Sequence, residues 1–396
     1  MSNKALPYWR LSGFYFFYFA SLGALMPYLG LYLKSLGLVA AQIGVVFAVM
    51  QGTKLVSPSI LAWLSNGFNE RMRLIQIAAL ISTLAFSFLL FQQDFLEIVL
   101  IAFVFSFFWN AMLPQFESIT LTKLGRATGA YSGIRLWGSV GFIITVAGVG
   151  FVLDATDLAN WPVLVCVCLA AIFLSSILLS EKRSNQPEKG GQSLKCILRQ
   201  KKVIAFFLVV FLIQASHGAY YAFFSILLDK LNYDETQIGQ LWSLGVLAEI
   251  ALFIVIQRVF KHVSLHSVLM LSIFLTVIRW LMIAWFSESL LVLLLAQLLH
   301  AASFGAFHVV CIQLAHRYFQ GAAHDKGQAL YSSVGYGAGG MVGGLMAGLL
   351  WDDFGAAWVF TAASILSALA LWITWKWLER NDLDELRASG EGVSSI

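Results

Sequence analysis

Residues 181–202 read Glu181-Lys-Arg-Ser-Asn-Gln-Pro-Glu-Lys-Gly-Gly-Gln-Ser-Leu-Lys-Cys-Ile-Leu-Arg-Gln-Lys-Lys202, with seven basic residues. This is the only long polar stretch inside a 396-residue chain that is 59% hydrophobic, with a mean hydropathy of +0.80. Only 12% of the residues are Asp, Glu, Lys or Arg, about half the share of a soluble domain. A water-soluble fold cannot hide so much apolar surface, whereas a bilayer accepts it directly. The chain therefore reads as an integral membrane protein, and the polar stretch at its middle reads as a linker between two halves. The net charge of +4 is spread over many loops, so nucleic-acid binding is not expected. Pro, at six residues, is too scarce for a disordered chain.

About 20 apolar residues cross a bilayer as a helix. Outward from the linker, the first half offers spans near 11–33, 40–65, 74–93, 96–121, 131–153 and 160–180. The second half offers 203–228, 237–257, 266–286, 289–315, 327–350 and 355–377. The run from Leu11 is too long for a signal peptide and lacks a small-residue cleavage site. With the N-terminus inside, 20 of the 25 Lys and Arg fall in cytoplasmic segments, as the positive-inside bias requires. Lys34 and Lys230 fall outside, while Lys54, Arg135 and Arg279 lie within spans. The expectation is an all-α integral membrane fold of twelve transmembrane helices in two pseudo-symmetric six-helix bundles. The bundles are 1–180 and 203–378, joined by the cytoplasmic linker 181–202 and followed by a cytoplasmic tail, 379–396. Both termini are expected in the cytoplasm of a bacterial inner (plasma) membrane.

The halves repeat one another. Leu36-Gly-x4-Gln42-Ile43-Gly44 follows the first span and Leu231-Asn-x4-Gln237-Ile238-Gly239 follows the seventh. Ala130-Tyr131-Ser132 opens the fifth span and Leu330-Tyr331-Ser332 the eleventh. Tandem six-helix repeats build a large class of secondary transporters, with the substrate site near the midplane between halves. The first repeat's spacing also places Lys54 and Glu249 at equivalent positions.

A charge in the membrane centre is costly unless paired or hydrated, so such residues mark pathways. Lys54 lies twelve residues before Asn66, roughly 18 Å along a helix. Glu249 is similarly deep, and a poorly solvated carboxylate is a candidate proton carrier. Glu117 and Arg135 sit on consecutive spans, where they can pair or separate around a polar substrate. Arg279 has no acidic partner on its own helix and suits an anionic substrate or Glu249. His217 and His300 lie inside spans and are read as titrating groups; Tyr220 and Tyr221, one turn on from His217, form either a binding face or packing. His308 is expected in a helix–helix hydrogen bond, and His262, His266, His316 and His324 at loops or interfaces. The glycines from 335 to 348 imply close helix packing that can slide. Cys166, Cys168, Cys196 and Cys311 show neither metal-ligand nor disulfide-framework spacing. There is no Walker loop, no catalytic cluster and no metal site, so neither an enzyme nor ATP-driven transport is expected, and no cofactor beyond a proton gradient.

Arg135-Leu-Trp-Gly-Ser-Val, His217-Gly-Ala-Tyr-Tyr, Leu241-Trp242-Ser-Leu-Gly-Val with Glu249, Val277-Ile-Arg279-Trp280 and Gln297-Leu-Leu-His300 together carry a likeness over nearly the whole chain. It resembles the major facilitator superfamily, in the proton-coupled branch that holds bacterial phenylpropionate transporters and, more distantly, lactose permeases. The resemblance implies proton–solute symport by alternating access. Glu117 and Arg135 match a substrate-binding carboxylate and its arginine partner; Arg279 and His300 match a coupling arginine and histidine. Gln297 and Ser303 stand where lactose permeases carry a lysine and the proton-carrying glutamate, which leaves Glu249 as the expected proton carrier. The loop from Ala62 to Arg71 resembles the superfamily's loop motif, with Asn66 in place of an Asp.

The expected function is import of a small aromatic carboxylate such as 3-phenylpropionate with a proton. Lys54, Arg135 or Arg279 would attract the anion, with His217, Tyr220, Tyr221 and Trp242 around its ring. Glu249, Arg279 and His300 would couple the proton. A nucleoside or sugar symporter is the nearest alternative and a drug-efflux antiporter a further one. The expected partners are the small-molecule substrate, protons and the lipid bilayer, and the protein is expected as a monomer.

Overall fold

A computed structural model describes residues 7–65, 71–91, 94–125, 129–179 and 194–378. Among these residues the chain is helical, with no strand. The long helices are α1 (Tyr8–Ser35), α2 (Ala40–Ser65), α3 (Arg71–Leu90), α4 (Phe95–Leu124), α5 (Ala130–Ala155) and α6 (Leu158–Ile177). They continue with α7 (Lys201–Lys230), α8 (Glu235–His262), α9 (Leu265–Phe286) and α10 (Leu290–Tyr318). The last stretch, His324–Trp377, is 54 residues long. Gly355, at φ 75° and ψ 172°, breaks it into α11 (324–354) and α12 (356–377). Twelve spans follow, as the apolar runs predict. The helices outrun those runs because polar caps, not hydropathy, set their ends. Asp94 and Glu97 exchange side-chain and backbone hydrogen bonds at the start of α4, a capping box.

The short sequence repeat now has a physical cause. The Gln42 side chain accepts from the Val39 N–H at 3.1 Å, and Gln237 accepts from the Asp234 N–H at the same distance. Each caps the helix that follows. Two residues on, each glycine sits at a helix crossing between the halves. A Cβ on Gly44 would lie 2.9 Å from Gly348 Cα of α11, and one on Gly239 would lie 2.7 Å from the Val146 carbonyl of α5. The repeat thus encodes two equivalent contacts, α2 on α11 and α8 on α5.

Polar contacts gather at this same end. Lys34 and Asp229, 195 positions apart at the ends of α1 and α7, pair at 2.6 Å. Asp352 accepts from the Ala40 N–H at 3.1 Å and Asp154 from the Thr236 hydroxyl at 3.0 Å. The buried Tyr28 hydroxyl lies 2.7 Å from the Val146 carbonyl and 3.3 Å from that of Glu235. The two halves are fastened to each other at the Lys34 end.

Three helices lose regular α-geometry near their centres. α2 tightens into a 3₁₀ turn at Thr53–Leu55. α10 and α11 widen into π-helical turns at Ala301–Ala306 and Ser333–Gly339, a feature common at functional sites. The α2 turn is held by Asn110, whose amide donates to the Met50 carbonyl and the Thr53 hydroxyl, both at 2.9 Å. Leu55 packs against Gly337 of the α11 turn.

Candidate functional site

The intramembrane charges form two constellations, one in each half. In the first, Arg135 of α5 points toward Glu117 of α4, with Nε 3.9 Å from Oε1. Both side chains are about one-third exposed, at 33% and 35%, so the contact leaves most of the guanidinium free. Phe19 lies under the guanidinium at 4.0 Å from its ring centroid, and Tyr15 at 5.7 Å. The Tyr131 hydroxyl donates to Glu117 at 3.4 Å. Lys54, in the α2 turn, is half-buried and makes no ion pair among the described residues.

The second constellation is densely packed. Glu249 Oε1 of α8 lies 2.8 Å from His300 Nε2 of α10, with side chains 13% and 9% exposed. The approach is close in distance, but it is not aligned as a hydrogen bond. Arg279 of α9 is wholly enclosed. It lies over the rings of Tyr220 at 4.5 Å and Trp280 at 4.7 Å. Its Nε donates to the Ala296 carbonyl at 2.9 Å and its Nη1 to the Ser303 hydroxyl at 3.1 Å. Tyr220 of α7 donates to Gln297 Oε1 at 2.9 Å and stacks on His300. Trp242 of α8 packs against both Tyr220 and Tyr221 and donates to the Ser225 hydroxyl. His217 meets Trp280 edge-on.

The structure therefore gathers His217, Tyr220, Tyr221, Trp242, Glu249, Arg279 and His300 into one cluster, and Glu117 with Arg135 into another. Lys54 stands apart from the Glu249 cluster despite its equivalent position. Arg279 makes no direct contact with Glu249; its hydrogen bonds go to Ala296 and Ser303. His308 joins helices as expected, with Nδ1 2.8 Å from the Tyr331 hydroxyl and 3.0 Å from that of Tyr336. Asn66, most of the loop before Arg71, most of the linker and the tail lie outside the described residues.

Residue-by-residue reasoning passed over Tyr131, Phe19 and Asn110. A signal for Tyr131 was present in the repeat. Tyr131 and Tyr331 open equivalent helices, and each reaches a titratable group on the helix before it, Glu117 or His308. Nothing local in the sequence marks Phe19 or Asn110, because their partners come from other helices.

The profile of the MFS_1 like family matches residues 8–362. The chain belongs to this family. Among its relatives, the MFS_1 like chain is 28% identical over 369 residues to the Escherichia coli (strain K12) probable 3-phenylpropionic acid transporter, covering 89% of this chain and 93% of the relative. It is 23% identical over 370 residues to the maltose permease of Geobacillus stearothermophilus, covering 90% and 92%. The crystal structure of the nucleoside transporter NupG (D323A mutant) superimposes with a TM-score of 0.83 at 16% identity, over 94% of this chain and all of that one. The last likeness bears on fold alone. The MFS_1 like chain is a multi-pass membrane transporter of the major facilitator type.

Proposed function

We propose that the protein is a proton-coupled importer of a small aromatic carboxylate of the 3-phenylpropionate class, working by alternating access. The observation that carries this reading is the 2.8 Å approach of Glu249 to His300 inside an apolar helix bundle. A carboxylate and an imidazole so placed can share or exchange one proton, and burying them serves no packing purpose. Arg279 supplies a fixed positive charge beside them. Arg135, met only loosely by Glu117, keeps donors for a carboxylate, and Lys54 makes no ion pair among the described residues, so these cations favour an anion. Tyr220, Tyr221 and Trp242 supply aromatic faces. The relative named as a probable 3-phenylpropionic acid transporter supports the substrate class.

The proton gradient would drive uptake, with no bound cofactor. We place the protein as a monomer in the bacterial inner membrane with both termini cytoplasmic, because the basic residues collect in the corresponding loops. The Lys34 end then faces outward, and the contacts fastening it close the outer side. A nucleoside or sugar symporter is the second reading. Glu117 and Arg135, partly exposed with Tyr131 beside them, offer a hydroxyl-rich ligand both an acceptor and donors.

The test uses purified protein in liposomes holding an internal pH dye, with 3-phenylpropionate, cinnamate, a nucleoside and lactose added separately. Acidification by the aromatic acids alone, beyond protein-free vesicles, is the expected result. Acidification with only the nucleoside or lactose would transfer the assignment to the second reading.

A further inference from the structure

The cluster in the second half contains buried polar atoms that have no partner: Arg279 Nη2, Gln297 Nε2, His300 Nδ1 and His217 Nε2. Buried polar groups are normally satisfied, so several orphans in one neighbourhood point to something that joins them. The chemistry at each atom can be assigned. His217 Nδ1 lies 2.8 Å from the Ile213 carbonyl. A carbonyl only accepts, so Nδ1 carries the hydrogen and Nε2 of the neutral ring is a bare acceptor. His300 is different, because its Nε2 faces Glu249. When Glu249 is ionised, Nε2 carries the hydrogen and Nδ1 accepts. When Glu249 is protonated and donates to Nε2, the neutral ring carries its hydrogen on Nδ1 instead. The unpartnered Nδ1 therefore becomes a donor only when the carboxyl holds a proton.

The ring centroids of His217 and His300 are 6.5 Å apart. At that separation the rings are neighbours, but their nitrogens are beyond a direct hydrogen bond, so a proton passing between them needs one bridging water. Arg279 Nη2 and Gln297 Nε2 are the spare donors nearby that would hold such a water. We propose that His217 is a second proton station, joined to His300 by a water, rather than a residue that only lines the substrate site. The transfer balances in one concerted step. Once the Glu249 carboxyl turns into line with the ring, it gives its proton to His300 Nε2, His300 Nδ1–H passes its proton to the water, and the water gives one to His217 Nε2. The products are a carboxylate and an imidazolium; the water is restored, and His300 is left neutral with its hydrogen moved from Nδ1 to Nε2. Around His217, Trp280 of α9 meets the ring edge-on, Tyr221 of its own helix and Phe304 of α10 pack on it, and Arg279 lies over Trp280. The positive charge of Arg279 opposes the imidazolium. A carboxylate arriving between the halves offsets that charge, so the proton reaches His217 only with the anion present.

This inference rests on the symport reading above, so its test compares two modes of transport. In liposomes with 3-phenylpropionate as probe, His217→Gln should lose proton-driven accumulation at least tenfold more than it loses counterflow exchange. Adding Glu249→Gln to it should cost nothing more. A rise in KM shared equally by accumulation and exchange would overturn the relay and leave His217 a binding residue. Loss of both modes in a folded variant would overturn it as well. A second measurement needs no substrate and survives failure of the symport reading. With ¹⁵N-histidine labelling, the neutral His217 ring should report hydrogen on Nδ1, and its Nε2 signal should shift on Glu249→Gln while those of His262 stay fixed. A His217 signal indifferent to Glu249, or hydrogen on Nε2, would sink the proposal.

Discussion

The two halves share a backbone plan and a pair of repeated motifs, yet they solve the problem of intramembrane charge in opposite ways. In the first half Glu117 and Arg135 meet loosely at 3.9 Å, each about one-third exposed. In the second, Arg279 is fully enclosed by aromatic rings and hydrogen bonds, and Glu249 closes on His300. A loosely held guanidinium keeps donors for a visitor, whereas an enclosed one acts through its field. Under the proposed function, the contrast assigns ligand contact to the first half and proton handling to the second. In the pair Lys34–Asp229, equivalent positions instead carry opposite charges and join the halves directly.

The contrast is open to breaking. Glu249→Gln removes the exchangeable carboxyl, and accumulation of 3-phenylpropionate should fall roughly a hundredfold while exchange persists, a difference of about 2.7 kcal/mol. Full proton-driven accumulation by that variant would erase the division between halves. Arg135→Ala should raise the KM for the acid by about 10- to 100-fold, as expected for a charge-assisted contact of about 1.5–3 kcal/mol. Arg135→Lys should recover only part of this, since a point charge cannot reproduce the planar fork. A variant with an unchanged KM would show that the anion is held elsewhere, Lys54 being the next candidate.

Smaller effects sharpen the symmetry. Gly239→Ala and Gly44→Ala place a Cβ against the opposite half at equivalent crossings. Both should lower transport by about five- to tenfold and raise labelling of cysteines placed near the Lys34 end, consistent with overpacking of about 1–3 kcal/mol. Unequal labelling would mean that the two crossings do not close together. Lys34→Ala removes an exposed pair, worth about 0.2–1 kcal/mol. It should change rates by less than about fivefold, and Lys34→Asp with Asp229→Lys should restore them.

How much of this was legible can be read residue by residue. The span count followed from hydropathy, because a bilayer demands continuous apolar helices. The depth of Lys54, Glu249 and Arg279 followed from counting along a helix, and the closeness of Glu117 to Arg135 from a helical hairpin. The equivalence of Lys54 and Glu249 was visible too, but it carried no contact: symmetry fixes a position in each half, not what stands opposite.

By itself the sequence determined the membrane class, the twelve helices and the positions of the intramembrane charges along them. Each depends on local composition or on spacing along one helix. Tertiary structure alone decided that Gln42 and Gln237 cap helices while Gly44 and Gly239 form the crossings. It also decided that Arg279 turns to Ala296 and Ser303, that Glu249 meets His300, and that Lys54 is left unpaired among the described residues. Those outcomes depend on which faces of different helices come together, at distances of a few ångströms that a one-dimensional pattern does not carry.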